Sequence, residues 1–286
     1  MMKYKRFKFF VFFMSISLIL IGCSSSREDS NVTSLKENAI KVHYIDVGQG
    51  DSILIQVNNK NLLIDAGTTD STDKLLSYLS KQNISRLDYV IATHPHEDHI
   101  GGMAAIIRKF KIGQFYAPRK TASTRTFENM INALKSKKLK INTAKEGVTI
   151  DLGKNAECVM LAPNSDNYDS TNNYSAVLKI TYGNSNFLFM GDAEKLSERE
   201  ILSKNLNVTC VMLKVGHHGS TSSSSPEFLD RASPKIAVIS CGKSNDYGHP
   251  HKPTIKALNN RKIQIYRTDI DGNIIFVSGG NDIIKE

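Results

Sequence analysis

The run Thr93-His94-Pro95-His96-Glu97-Asp98-His99 sets three histidines and Asp98 directly behind Leu87–Thr93, an apolar and strand-like segment. Such a run constrains the fold, because ligands from elsewhere in the chain must reach one strand end. Imidazole nitrogen and carboxylate oxygen suit borderline divalent metals. The order here is a pair at i and i+2 followed by a pair at i+4 and i+5. One short loop then serves two adjacent ions, His94 and His96 for one, Asp98 and His99 for the other. Pro95 disfavours a helical conformation at His94 and extends the His94/His96 pair. Gly101 and Gly102 let the chain pass close to other backbone. The alternative is a histidine-rich surface turn.

Two further pieces argue against that alternative. Phe187-Leu188-Phe189-Met190-Gly191-Asp192 is an apolar strand that delivers Asp192 at its C-terminal end. Asp192 is either the N-cap of a following helix or a shared anion, which two neighbouring dications need because they repel. Lys214-Val215-Gly216-His217-His218-Gly219-Ser220 again ends an apolar strand in histidine. One of the two completes the ligand set of the second metal: His217 as last ligand with His218 behind it or facing substrate, or the reverse. In Ser220–Pro226, Ser225 is a natural N-cap and Pro226 the first helical residue. A helix start beside a dimetal site also offers a place for phosphate.

The N-terminus sets a location. Lys3, Lys5, Arg6 and Lys8 precede the mostly apolar stretch Phe9–Ile21, too short for a span of about 20 residues. It ends in Leu20-Ile21-Gly22-Cys23, similar to a bacterial lipoprotein signal. The expectation is a signal peptide over 1–22 and a lipidated Cys23. A polar tether follows over 23–39, then one domain over 40–286. An ordinary secretory signal and an uncleaved anchor are the other readings. The expected location is the cell membrane, lipid-anchored through Cys23 and facing the extracellular side. Losing residues 1–22 removes four basic and no acidic residues from totals of 37 and 28, which leaves +5. That balance suits an anionic substrate or envelope surface without identifying either. Cys158, Cys210 and Cys241, an odd set without short spacing, argue against a disulfide framework or a cysteine zinc site and read as buried thiols.

From Ile40 onward, β-rich runs alternate with helical segments. Strands are expected at Val42–Asp46, Ser52–Val57, Asn61–Asp65 and Leu87–Thr93, with helices at Thr72–Gln82, Gly101–Phe110 and Thr126–Lys138. The second half adds strands at Glu157–Leu161, Ser175–Tyr182, Asn186–Met190, Thr209–Val215 and Lys235–Ser240. Its helices are Glu194–Lys204, Pro226–Ala232 and Thr254–Asn260, and two strands close the chain. Two βα-rich halves containing antiparallel meanders imply an α/β protein, two mixed sheets face to face with helices outside.

His94-x-His96-x-Asp98-His99 with Gly191-Asp192 and a later histidine resembles the metallo-β-lactamase fold superfamily. More narrowly, Asp46–Ser52, Leu63–Gly67, His217–Ser220 and Tyr247–His251 are similar to the hydrolase domain of ComEC-type DNA-uptake proteins, and the likeness runs from about Val42 to Phe276. It implies an αββα sandwich with a metal site along one edge of the two sheets, and two divalent ions, zinc or manganese. His94, His96, Asp98, His99, Asp192 and His217 or His218 are the candidate ligands. Superfamily members commonly place another histidine where this chain has Asn172-Asn173-Tyr174-Ser175. The His94/His96 ion therefore lacks a third imidazole, and Asn173 or water fills in; an amide oxygen is a poorer zinc ligand. Asp46, Asp51 and Asp65 belong to the shared motifs, as turn formers or as partners of ligating histidines. His249 and His251 are candidates for leaving-group protonation or phosphate contact, or solvated loop residues. ComEC proteins carry a polytopic channel, and this chain is expected to stand without one, so a role in DNA uptake does not transfer with the motifs.

The ion pair would activate water and neutralise charge on a phosphoryl oxygen. The expected function is a membrane-tethered extracellular phosphodiesterase or nuclease, with Asp192, His249 and His251 nearest the chemistry. The expected partner is an anionic phosphodiester, DNA first, and no obligate protein partner is evident. No basic stretch interleaved with aromatics marks a nucleic-acid track. The alternatives are a cell-wall or choline phosphodiesterase and, in another class, a binding lipoprotein with a decayed site; a β-lactamase fits the motifs less well.

Overall fold

In the computed structural model, residues 39–286 and the isolated Met2 are described. The signal, Cys23 and nearly all of the tether lie outside them. Among the described residues no helix is long and apolar enough to cross a membrane.

Strands β1 (Ile40–Tyr44), β2 (Ile53–Val57) and β3 (Lys60–Ile64) form an antiparallel meander. The helix α1 (Thr72–Lys81) then crosses over to β4 (Arg86–Ile91), which pairs parallel to β3. Two short helices, α2 (Glu97–Ile100) and α3 (Met103–Lys109), lead to β5 (Lys111–Ala117). From there α4 (Arg125–Ser136) leads to β6 (Ile141–Thr143). The second sheet has the same plan. Strands β7 (Thr149–Asp151), β8 (Ala156–Ala162), β9 (Val177–Tyr182) and β10 (Ser185–Phe189) are antiparallel. Then α5 (Lys195–Ser203), α6 (Pro226–Ala232) and α7 (Lys252–Asn260) alternate with β11 (Met212–Lys214), β12 (Ile236–Ile239) and β13 (Gln264–Arg267), all parallel to β10. A short α8 (Thr268–Asp271) precedes β14 (Ile274–Ser278) and β15 (Ile283–Lys285), which return to the first sheet beside β1. The strand orders are β15-β14-β1-β2-β3-β4-β5-β6 and β13-β12-β11-β10-β9-β8-β7.

Successive side chains on a strand face opposite ways, so each strand here serves two cores. Val42, Ile55, Ile64, Ile180, Phe187 and Phe189 meet between the sheets. On the outer face of the first sheet, Leu54, Leu63 and Val90 receive Leu75, Leu79 and Ile106 from the helices. Leu188, Leu213 and Ala237 on the second receive Ile201, Phe228 and Leu258. This is the expected αββα sandwich. Burial on both faces is why these strands read as unbroken apolar runs rather than as alternation.

The structure differs from the sequence expectation in places. The segment expected as one helix, Gly101–Phe110, is preceded by α2, so Asp98 and His99 lie on a helical turn rather than in a loop. Strands β5, β6, β7 and β15 were not foreseen. Lys111, Gly113 and Gln114 are exposed, so only the last three residues of β5 look like a strand. The other three are only three residues long, below the length at which a pattern declares itself. Cys158, Cys210 and Cys241 are free and buried.

Candidate metal centre

The candidate ligands arrive from the C-terminal ends of parallel strands, where open α/β sheets place their sites. Beyond β4, Thr93 N donates to Asp65 Oδ1 (2.8 Å), and the Thr93 carbonyl accepts from Ala176 N of the second sheet (3.0 Å). Past that tie the chain turns, and His94 Nε2 and His96 Nδ1 come within 3.0 Å of each other. Two close approaches fix the next turn. An added Cβ on Gly101 would lie 2.2 Å from Thr69 N, and one on Gly50 would lie 2.3 Å from the Asp98 carbonyl oxygen. Only glycine allows these backbones to touch.

Asp192 stands between two groups of nitrogens. Its Oδ1 is 3.2 Å from His99 Nε2 and 3.5 Å from His218 Nε2, and His218 Nε2 is 3.2 Å from Asp98 Oδ2. Its Oδ2 is 3.8 Å from His94 Nε2 and 3.7 Å from His217 Nε2. The N-cap of α5 is Glu194, so Asp192 is not spent on capping that helix.

Buried partners orient the rings. Asp65 Oδ2 lies 2.7 Å from His99 Nδ1 and also accepts from Thr93 Oγ1 at 2.7 Å. His218 Nδ1 donates to the Ser240 carbonyl at 2.8 Å. Each bond leaves Nε2 facing the carboxylates. Behind them a fully buried Lys214 Nζ meets Asp51 Oδ2 at 2.5 Å.

The donor set fits a divalent cation. His99 Nε2, His218 Nε2 and Asp192 Oδ1 are buried without a hydrogen-bond partner. Together with Asp98 they supply ligand atoms all within 4.8 Å of one another. Atoms bonded at about 2.0–2.2 Å to one ion stand at similar mutual distances. The electrostatics agree. Burial opposes a charged His99 ring, yet Asp192, Asp98 and Asp65 hold it well above the usual imidazole range. Burial likewise lowers His218, and Asp192, Asp98 and Asp51 more than reverse the effect. Burial raises Asp192, but His218, His99 and His94 hold it well below the carboxylate range. The cluster draws positive charge to itself.

Other expected residues lie differently. Asn173 Oδ1 accepts from Glu194 N (3.2 Å) and Ser197 N (3.3 Å), so its amide oxygen is turned to the start of α5. Asp46 accepts from Gly48 N (3.1 Å) and pairs with Lys74 (2.6 Å) at the surface, a turn former. His251 Nδ1 accepts from Thr221 N (3.1 Å) and its Nε2 faces the Tyr247 carbonyl (3.2 Å), which occupies both ring nitrogens. His249, stacked on Tyr247, does line the cleft, with its ring 5.5 Å from that of His217. Burial, then the His218 and His217 rings, lower it to about 4. The Ser225 cap forms as expected, accepting from Phe228 N. The N–H groups of Ser224 and Ser225 go to the Glu198 carboxylate, so neither is left for a phosphate.

Lys214, Ser222 and Ser240 were missed as site residues. Lys214 alone had a visible signal, a lysine inside an apolar run, since lysine is almost never fully buried unpaired.

Over the cluster lies an open cleft of about 690 Å³, walled by Gln49, Thr121–Thr124, Asn172, Tyr247 and His249. Fold and site together define an αββα sandwich with a candidate metal centre at one sheet edge. Residues 45–243 match the metallo-beta-lactamase superfamily, and the chain belongs to it. Its relatives are ComEC-like. It is 32% identical over 252 residues to ComE operon protein 3 of Bacillus subtilis, covering 82% of this chain and 32% of that protein. A stretch of 74 residues, 25% of this chain and 26% of the relative, is 38% identical to the exodeoxyribonuclease WalJ of Streptococcus pneumoniae. The chain thus spans about a third or less of these relatives' lengths. Among solved structures, the metallo-beta-lactamase fold protein YhfI from Bacillus subtilis superposes with a TM-score of 0.58 at 14% identity, covering 84% of this chain and 100% of that one. That likeness is one of fold.

Proposed function

We propose that this protein is a phosphodiesterase tethered to the outer face of the cell membrane, with DNA as its leading substrate. One observation carries the hydrolytic reading: Asp192 turns its two oxygens to two different groups of nitrogens, the arrangement a two-ion centre requires. Two divalent ions, zinc or manganese, would supply an activated water and neutralise charge on phosphoryl oxygens.

The chain's own residues do the rest. Asp65 and the Ser240 carbonyl fix the tautomers and planes of His99 and His218. His249, neutral at pH 7, is placed at the cleft to donate an N–H to a phosphoryl oxygen rather than to deliver a proton. Thr121, Ser123 and Thr124 line the same cleft with hydroxyls, and an open trough suits an extended phosphodiester better than a small ligand that needs enclosure. The preference for DNA is supported by the stretch similar to an exodeoxyribonuclease and by the ComEC-like motifs. The tether and outward location are supported by the basic leader, the apolar stretch and Cys23.

The test is cleavage of bis(p-nitrophenyl) phosphate and of single- and double-stranded DNA by purified protein given zinc or manganese. The wild type should cleave, and Asp192→Ala should lose activity by a factor of 10³ or more, on the scale of removing a principal electrostatic element. Wild type and variant equally inert with both metals would sink the enzymatic reading.

A further inference from the structure

We infer that the adjacent histidines divide between two ions, His218 joining Asp98 and His99 while His217 supplies the third imidazole of the ion held by His94 and His96. This rests on the two-ion reading above and names the ligand the sequence left missing. The position where superfamily members carry that histidine is Asn172-Asn173 here, and the Asn173 amide oxygen is committed to Glu194 N and Ser197 N. His217 Nε2 stands 3.7 Å from Asp192 Oδ2, the oxygen that His94 Nε2 approaches at 3.8 Å, while His218 faces Oδ1.

The backbone is bent to do this. His217 (φ 48°, ψ 50°) and His218 (φ 51°, ψ 24°) both adopt left-handed conformations, which are costly for residues other than glycine. Two such residues in succession persist where the surroundings enforce them, and they cluster at functional sites. Here the bend sends neighbouring rings to opposite oxygens of one carboxylate, their centroids 6.1 Å apart. The tautomer is also set. His217 Nδ1 lies 2.8 Å from Ser222 Oγ, whose own proton goes to Ser220 Oγ at 3.1 Å. Nδ1 therefore donates, and the Nε2 lone pair faces the Asp192 side. Glu194 Oε1, 3.5 Å from Nδ1, reinforces that polarity.

The experiment counts metal and needs no turnover. Full-length protein is loaded with manganese and dialysed; bound metal is measured by mass spectrometry and ion pairing by electron paramagnetic resonance. Wild type should hold two ions with an exchange-coupled signal. His217→Ala should hold one, with an isolated-ion spectrum, and His251→Ala, altered outside both clusters, should keep two. Should His217→Ala fail to fold, Ser222→Ala removes the nearer partner of Nδ1 and should weaken one of two binding steps by roughly 10–100-fold. Two coupled ions in His217→Ala, or unchanged affinities in Ser222→Ala, overturn the assignment of His217 and leave the two-ion reading standing. Fewer than two ions in the wild type overturns both.

Discussion

At the scale of single residues, the site depends on groups that never touch substrate. Asp65 sits at φ 59°, a conformation Asn and Asp tolerate. Its carboxylate gathers Thr93 N, Thr93 Oγ1 and His99 Nδ1. Asp65→Asn should keep the fold but let the His99 ring lose its fixed tautomer, weakening metal binding by roughly 10–100-fold. Calorimetric titration of the metal-free protein with zinc decides this, and an unchanged affinity would make Asp65 a turn former only. A second residue, remote from the site, carries a pH dependence. His43 is fully buried under α1, between Tyr78 Oη (2.8 Å) and Gln56 Oε1 (3.0 Å). Burial, aided by Lys41 and opposed by Gln56 and Glu286, lowers it from 6.5 to about 4. A depressed imidazole pKa means the unfolded chain binds the proton first. The stability linked to a neutral His43 is thus intact above pH 6.5 and lost as pH falls toward 4, by about 3 kcal/mol in all. Denaturant titrations of wild type and His43→Gln should show their stability difference shrinking by that order between pH 7.5 and 4. A difference that does not change with pH would refute the assignment.

At the scale of elements, legibility followed periodicity and capping. Helix α6 was placed at Pro226–Ala232 because Ser225 and Pro226 announce its start chemically. The ligand-bearing strands were visible because burial on two faces writes itself as apolar runs. The turn α2 was hidden, because four helical residues built from Glu, Asp, His and Ile have no repeat to read. Which way His217 and His218 face was equally hidden, since it depends on positive φ at histidine, and no residue type signals that. What holds α2 in place is a backbone contact: Gly101 lies against Thr68 and Thr69, and the carbonyl of His99 accepts from Ala66 N at 2.7 Å. Gly101→Ala places a methyl where there is no flexible side chain to move. It should destabilise the protein by roughly 3 kcal/mol or more, at the upper end of overpacking effects. It should also displace His99, so metal affinity falls together with melting temperature. A variant that melts normally and binds metal normally would show that α2 is free to shift.

At the scale of the whole molecule, the two sheets meet at the site edge through charge as well as through the apolar core. Lys214 ends β11 in the second sheet, and Asp51 belongs to the β1–β2 connection of the first. Their ion pair joins the layers directly behind Asp192 and His218, with Lys214 Nζ also 3.5 Å from the Gly191 carbonyl. Asp51 N in turn donates to the Asp98 carbonyl at 3.1 Å, so the same loop braces a candidate ligand. A buried pair of this kind adds little net stability over an apolar replacement, but breaking it leaves one charge stranded at a cost of about 3–5 kcal/mol. Lys214→Met should therefore lower the melting temperature by roughly 10 °C in a domain of this size. The double variant Lys214→Met, Asp51→Leu should regain a large part of that stability, because no unpaired charge remains. It should not regain metal affinity, because Asp51 would no longer hold its carboxylate near His218 Nδ1, 3.5 Å away. Recovery of stability without recovery of metal binding assigns the pair to arranging the site across the two sheets. Recovery of both would reduce it to a structural tie, and recovery of neither would mean that apolar side chains cannot fill its place.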